Sequence, residues 1–260
     1  MAYGVVDPAD DWFKNGVYAD PTFNKVRHDS LSGNLLTNHG DYCNRMAYAT
    51  ASGPTMGARF TYTNAAYDNS LWHSSRIFFR PGAPLDSGLP VLVPWVWVQY
   101  ADGVGPTAVY VIGPWSTGGG TAQIDFGYRD MTTQTAGRGL ARVIARSGNL
   151  SMGWAANDWF GMRLDCVRQG NDMRLTAYVV MGSTACDTLD ANGEPDWVQC
   201  LDLSHINGST TPTMYLGTAL NTFDYSTPYY AGTSGFGVTT GSIPTASHTW
   251  LDSARIKQLT

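Results

Sequence analysis

A chain of 260 residues with a formal net charge of −5 can hold one large domain, and it lacks the basic footprint that nucleic-acid binding requires. Glutamate occurs once, at Glu194, and lysine three times, so two strong helix formers are nearly missing, while 29 glycines and 13 prolines suit short strands joined by turns. No apolar run approaches the roughly 18–20 residues that cross a bilayer.

In chain order, residues 1–40 read as an irregular lead-in, punctuated by Asp, Asn, Gly, Pro and Ser. Its opening MAYGVVDPADDW has neither the basic nor the apolar region of a signal peptide, so the expected site of synthesis is the cytoplasm, with exit inside an assembly or by lysis. Residues 41–260 then read as a single domain. Alternation predicts strands at Arg45–Thr50, Ala58–Thr63 and Arg76–Arg80, the last two separated by a polar loop holding Tyr67 and Trp72. In VLVPWVWVQY, Pro94 argues against a regular central strand, which places the strand proper at Trp95–Tyr100. Ala108–Ile112 and Gln123–Tyr128 follow as strands, and Leu140–Ala145 reads as a strand or a short helical turn.

The clearest element spans Trp159 to Val180. Phe160, Met162, Leu164 and Cys166 alternate with Gly161, Arg163, Asp165 and Val167, and Met173, Leu175, Ala177 and Val179 alternate with Arg174, Thr176, Tyr178 and Val180. Period two puts one set on a core face and the other towards solvent or a second surface. Gln169-Gly170-Asn171-Asp172 supplies the turn, so this is a central hairpin. A strand at Val198–Leu203, a long polar and aromatic stretch, the strand GFGVTTG and the closing HTWLDSARIKQL complete the chain. Two packed antiparallel sheets account for this pattern.

Cys43, Cys166, Cys186 and Cys200 have no CxxC spacing, which argues against zinc. Cys186 and Cys200 flank a polar loop and could staple its base. Four buried thiols are the other reading, favoured by cytosolic synthesis.

Trp159, Arg163, Leu164, Gly170, Asn171 and Tyr178, then Gly235 and Gly237, then Trp250, Leu251, Asp252, Arg255 and Ile256 form a spaced pattern. It resembles the concanavalin A-like (laminin-G-like, pentraxin-like) sandwiches, a likeness spanning roughly residues 42–260, and their last strand carries a pattern similar to TWLDSARIKQL. The resemblance implies an all-β, two-sheet antiparallel jelly-roll sandwich. Such a fold hosts lectins, glycanases, adhesion modules and virion domains alike, so it transfers little function.

Glycanases of that family carry paired carboxylates on one strand, because one group must donate a proton while the other attacks or activates water. Here Glu194 sits in the turn-like DANGEPDW, and Asp187/Asp190 and Asp7/Asp10/Asp11 lie in loops where Asp serves as a turn or cap residue. No nucleophile elbow or phosphate loop is present, so the expectation is a chain that is not an enzyme. Calcium needs six to eight oxygens, and Asp187, Asp190, Asn192 and Glu194 are its weak candidates. Their spacing departs from an EF-hand, and an Asn-Gly turn explains them with less assumption, so no cofactor is expected.

Binding is the better-supported class. Tyr67, Trp72, Trp115, Phe223, Tyr225, Tyr229 and Tyr230 stand in polar contexts, where aromatics stack on sugars or anchor partners. Each could instead cap a small satellite core. The composition resembles that of bacteriophage virion proteins: capsid decoration proteins, head fibres and tail receptor-binding modules. What this implies is a virion component acting by attachment, partnered by other virion proteins in a homo-oligomer or symmetric assembly, and by a host surface glycan. Residues 1–40 are the expected docking arm. A carbohydrate-binding lectin of cellular origin and a divergent glycoside hydrolase are the alternatives.

Overall fold

The computed structural model describes residues 14–17, 22–27, 36–39, 42–47, 56–62, 72–82, 93–101, 106–116, 121–130, 142–228, 233–240 and 248–258. In chain order the strands are β1 (Lys14–Val17), β2 (Thr22–Arg27), β3 (Tyr42–Ala47), β4 (Met56–Tyr62), β5 (Trp72–Pro81), β6 (Val93–Ala101), β7 (Pro106–Ser116) and β8 (Ala122–Asp130). Then come β9 (Arg142–Arg146), β10 (Phe160–Gln169), β11 (Asp172–Met181), β12 (Val198–His205), β13 (Thr213–Leu216), β14 (Thr218–Ala219), β15 (Thr233–Thr240) and β16 (His248–Gln258). Among the described residues, the helix α1 (Ser183–Asp187) and a 3-10 turn at Thr37–His39 are added to them.

These strands form two sheets of eight. Sheet A runs β1-β4-β15-β6-β7-β8-β9-β14 and sheet B runs β13-β12-β11-β10-β5-β16-β3-β2, with every pairing antiparallel. The all-β, two-sheet sandwich expected from the alternation is therefore the fold. The hairpin β10–β11 keeps an unbroken register from Phe160↔Met181 to Gln169↔Asp172, and Gly170 takes the positive φ of 65° that its turn demands.

Phe160, Met162, Leu164, Leu175, Ala177 and Val179 all face inward and are buried. They meet Tyr110, Ile112, Ile124, Phe126 and Ile144 of sheet A across the sandwich. A second apolar cluster lies on the opposite face of sheet B, where Cys43, Phe78, Val180, Trp159 and Trp250 are covered by Leu36 and Cys186. α1 and the 3-10 turn hold this cover in place: the Asn38 backbone N–H donates to Asp187 Oδ1 at 2.8 Å, and the Asn38 amide donates to the Asp187 carbonyl at 2.7 Å. All four cysteines are free and buried. Cys186 and Cys200 belong to clusters on opposite faces of sheet B, so their side chains diverge.

Several expectations are corrected. Residues 1–40 are not wholly irregular: β1 adds an edge strand to sheet A through β4, and β2 adds one to sheet B through β3. An arm that completes both sheets is part of the sandwich. Polar composition hid this, because edge strands need little apolar surface. Pro94 lies inside β6, where Val238 of β15 faces it on one side and the pairing with β7 begins only at Val96. Its missing N–H therefore costs no ladder bond on the β7 side. Of Leu140–Ala145, residues 142–145 belong to the strand β9, and 140 and 141 lie outside the described residues. The long stretch after β12 contains β13 and β14, joined at Gly217, where the chain turns from sheet B into sheet A. Gly217 has φ 93°, and a Cβ there would meet the Arg146 carbonyl oxygen at 2.8 Å.

Candidate functional site

The aromatic candidates scatter. Phe223 is 4% exposed and stacks on the imidazole of His205 at 3.8 Å between ring centres, so it is core and not a contact residue. Tyr225 is half-buried against the same core, and its carbonyl oxygen lies 3.0 Å from His205 Nε2. Trp115 is on β7 and not in a loop. It is 37% exposed, and the Arg146 guanidinium stacks on its ring at 4.5 Å. Trp72 opens β5 and is likewise not in a loop. Tyr67, Tyr229 and Tyr230 lie outside the described residues, as do Asp7, Asp10 and Asp11.

The weak calcium candidates have other employment. Asp187 receives Asn38, as above. Asp190 Oδ1 accepts the backbone N–H groups of Asn192 and Glu194 at 2.8 and 2.9 Å, which closes an Asx turn. Glu194 Oε2 accepts from Trp197 Nε1 at 2.9 Å and pairs with the buried guanidinium of Arg76. The oxygens point to separate donors and to no shared centre, and among the described residues no group of three acidic, His or Cys side chains could hold a metal ion.

The site that emerges is on the outer face of sheet B, beside the covered cluster. Strand alternation puts Arg163 and Asp165 of β10 and Arg174, Thr176 and Tyr178 of β11 on this face. Register then aligns Tyr178, Arg163 and Arg76 across β11, β10 and β5, and Asp202, Thr176 and Asp165 across β12, β11 and β10. Arg174 grips Asp202 through both carboxylate oxygens at 2.6 Å, and Gln199 Nε2 and Thr176 Oγ1 also donate to it, at 2.9 and 3.4 Å. Arg163 grips Asp165 in the same bidentate manner. The guanidiniums in turn lie on aromatic faces: Arg163 over Tyr178 at 4.6 Å and Arg174 over Tyr215 at 3.4 Å.

The carboxylates are the deep members of this strip, with Asp165 4% and Asp202 7% exposed, whereas Tyr215 is 55% exposed. Side-chain hydrogen bonding to Asp202 outweighs burial at Arg174 and raises its pKa further. The strip is thus a rigid layer of planar guanidiniums and tyrosine rings backed by carboxylates. Sequence reasoning assigned this set of residues to solvent or a second surface and did not single it out. The available signal was Arg-x-Asp followed by Arg-x-Thr-x-Tyr on the two arms of one hairpin, which places five polar side chains on one face.

Sequence reasoning also missed His205. It is fully buried at the end of β12, and its Nδ1 lies 2.9 Å from the hydroxyl of Tyr110, which comes from the opposite sheet. Burial lowers its pKa to about 4, so it is neutral above that pH and serves as a cross-sheet hydrogen-bond partner.

No protein-family model matches the sequence, and no characterised protein matches it by sequence. Solved structures do match the fold. A GH131 β-glucanase catalytic domain from Podospora anserina aligns over 96% of this chain and 85% of its own, with 9% identity and a TM-score of 0.50. A conserved carbohydrate esterase from the Shiga toxin-encoding bacteriophage phi24B aligns over 99% and 100%, at 12% identity and TM-score 0.45. Lectin I-B4 from Griffonia simplicifolia aligns over 92% and 93%, at 9% identity and TM-score 0.41. The chain has the concanavalin A-like lectin/glucanase sandwich fold.

Proposed function

We propose that this concanavalin A-like sandwich is a non-catalytic attachment module that holds a polyhydroxylated ligand on the outer face of sheet B. The observation that carries the reading is the strip of guanidiniums, each stacked on tyrosine or paired with its own carboxylate. Side chains already fixed by one another lose little freedom when a ligand arrives, which favours binding. Tyr215 gives one ring face to Arg174 and keeps over half of its surface exposed, a platform on which a pyranose can stack. The arrangement also speaks for binding over hydrolysis. A glycanase pair needs one carboxyl free to hand its proton to the leaving oxygen. Asp165, Asp202 and Glu194 are each committed as acceptors to an arginine.

The setting we propose is a bacteriophage particle, with the chain at its surface beside other virion proteins. Its support is the composition, rich in Gly and Tyr and poor in Lys and Glu, which is similar to that of virion proteins. The docking role first expected of residues 1–40 is not carried forward, because that segment supplies edge strands to both sheets.

Two measurements test the proposal. Retention on a polysaccharide panel, with no reducing ends released on long incubation, is expected. Release that Asp165→Asn or Asp202→Asn abolishes would overturn the non-catalytic reading. Mass spectrometry of purified particles from a lysate should find the chain at stoichiometric level. Recovery only as free protein from uninfected cells leaves a cellular lectin instead.

A further inference from the structure

At the rim between the sheets, where the end of β11 and the start of β12 meet Gly148–Ser151 after β9, lies a pocket of about 470 Å³. That is within the roughly 300–1,000 Å³ of sites that take small molecules. A β-bulge opens it: Ala177 pairs with Leu201 and Tyr178 with Gln199, so Cys200 has no partner across the ladder. The Cys200 thiol lines the floor and bonds the Ala177 carbonyl, and burial pushes its pKa up to about 12, which leaves it an inert apolar wall. Val179 shares the floor, and Met181, Val198 and Leu216 form the sides, with Val198 59% and Leu216 42% exposed at the entrance. Among the described residues no aromatic ring lines the pocket, so these walls offer no platform for a sugar face. The polar lining is exposed, and its one charged member is Asp196.

We infer that this pocket is a second ligand site, which takes the aliphatic chain of a small amphiphile whose uncharged or cationic head sits at Asp196. Aliphatic and sulfur walls exclude water without directing hydrogen bonds, so they select for chain and not for ring. The lone carboxylate at the mouth selects against an anionic head. Gln199 lines it and also donates to Asp202 of the strip, but the pocket contains neither the tyrosines nor the arginine pairs on which the glycan reading rests.

The test uses two probes of one chain length, octyltrimethylammonium and octanoate, at monomeric concentrations. It is read by the methyl resonance of Met181 against those of the core residues Met162 and Met173. The cation should shift Met181 alone and bind roughly two- to fivefold tighter than octanoate, the range open to one exposed charge. Asp196→Asn should abolish that preference. Val198→Trp and Leu216→Trp, both at exposed positions, should close the entrance and remove binding of either probe. Equal affinity for the two heads, or binding that survives both tryptophan variants, would overturn the inference. Phosphatidylcholine vesicles separate the sources: retention that Val198→Trp removes assigns a membrane lipid, whereas monomer binding without retention assigns a free amphiphile.

Discussion

Sheet B presents two halves on its outer face, and they differ although the same strands build both. On β5, Phe78 lies in the covered half and Arg76 in the open half; on β11, Val180 and Tyr178 divide in the same way; on β10, Gly161 and Arg163 do. The covered half is apolar because the chain returns over it, with α1 and the 3-10 turn excluding water from Phe78, Trp159 and Trp250. Beyond Arg76, which is buried under the loop of Gly193 and Glu194, the open half has no such lid in the described residues, and its side chains satisfy one another through ion pairs and cation–π contacts. Two residues along a strand are enough to pass from a covered apolar surface to an open polar one.

The largest test of this division is Phe78→Ala. Its ring meets His39 edge-on at 4.6 Å and Trp197 at 5.7 Å, so its loss should cost about 3–5 kcal/mol in denaturant unfolding. Tyr178→Ala, two strand positions from Val180 in the open half, should cost roughly 1 kcal/mol. Equal costs would erase the distinction between the halves.

The inner face gives a third environment, and pH reads it. His205 has a folded pKa of about 4 against 6.5 in the unfolded chain, because burial disfavours its cation. Between those values the unfolded state binds the extra proton, so the contribution is complete above pH 6.5 and is lost as pH falls towards 4. The loss should be roughly 3 kcal/mol, followed as Tm against pH. In His205→Asn that part of the slope should vanish. An unchanged slope would mean that another group carries it.

Gly161 marks the border between the halves. A Cβ there would stand 2.6 Å from Val180 Cγ1 and 3.0 Å from both Phe78 and Trp197, so Gly161→Ala should destabilise by about 1–3 kcal/mol through overpacking. A neutral result would show that the covered half repacks freely. The smallest effect on stability, within about 0.5 kcal/mol, is expected for Tyr215→Ala at its exposed position. The same variant should nevertheless lose most retention on whichever polysaccharide the wild type holds. Retention unchanged in Tyr215→Ala would remove Tyr215 from the binding surface.

Where burial follows alternation, the fold was legible: the hairpin from Phe160 to Met181, its turn at Gly170, and the inward set were all written as period two. Edge strands were not, because β1 and β2 carry too few apolar residues for a pattern and are held by neighbours far along the chain. The aromatic candidates misled for a related reason. Phe223 sits in a polar segment yet is buried, because it packs on His205 at the end of β12, a contact that the strand pattern at Val198–Leu203 does not reveal. The strip was half-legible: alternation placed Arg163, Asp165, Arg174 and Tyr178 on one face, while Asp202 and Tyr215 join it only through pairing across β11, β12 and β13.

Gly217 has a consequence for how closely copies of this protein can be crowded. The strands beside it are four and two residues long, and one continuous backbone links the rim of sheet B to that of sheet A. A long bare rim invites a neighbour to add a strand, and runaway addition is how fibrils begin. This flank offers a template too short to propagate, kept so by a corner that tolerates no side chain. A strand added to this flank by a second copy would therefore find only short segments to pair with.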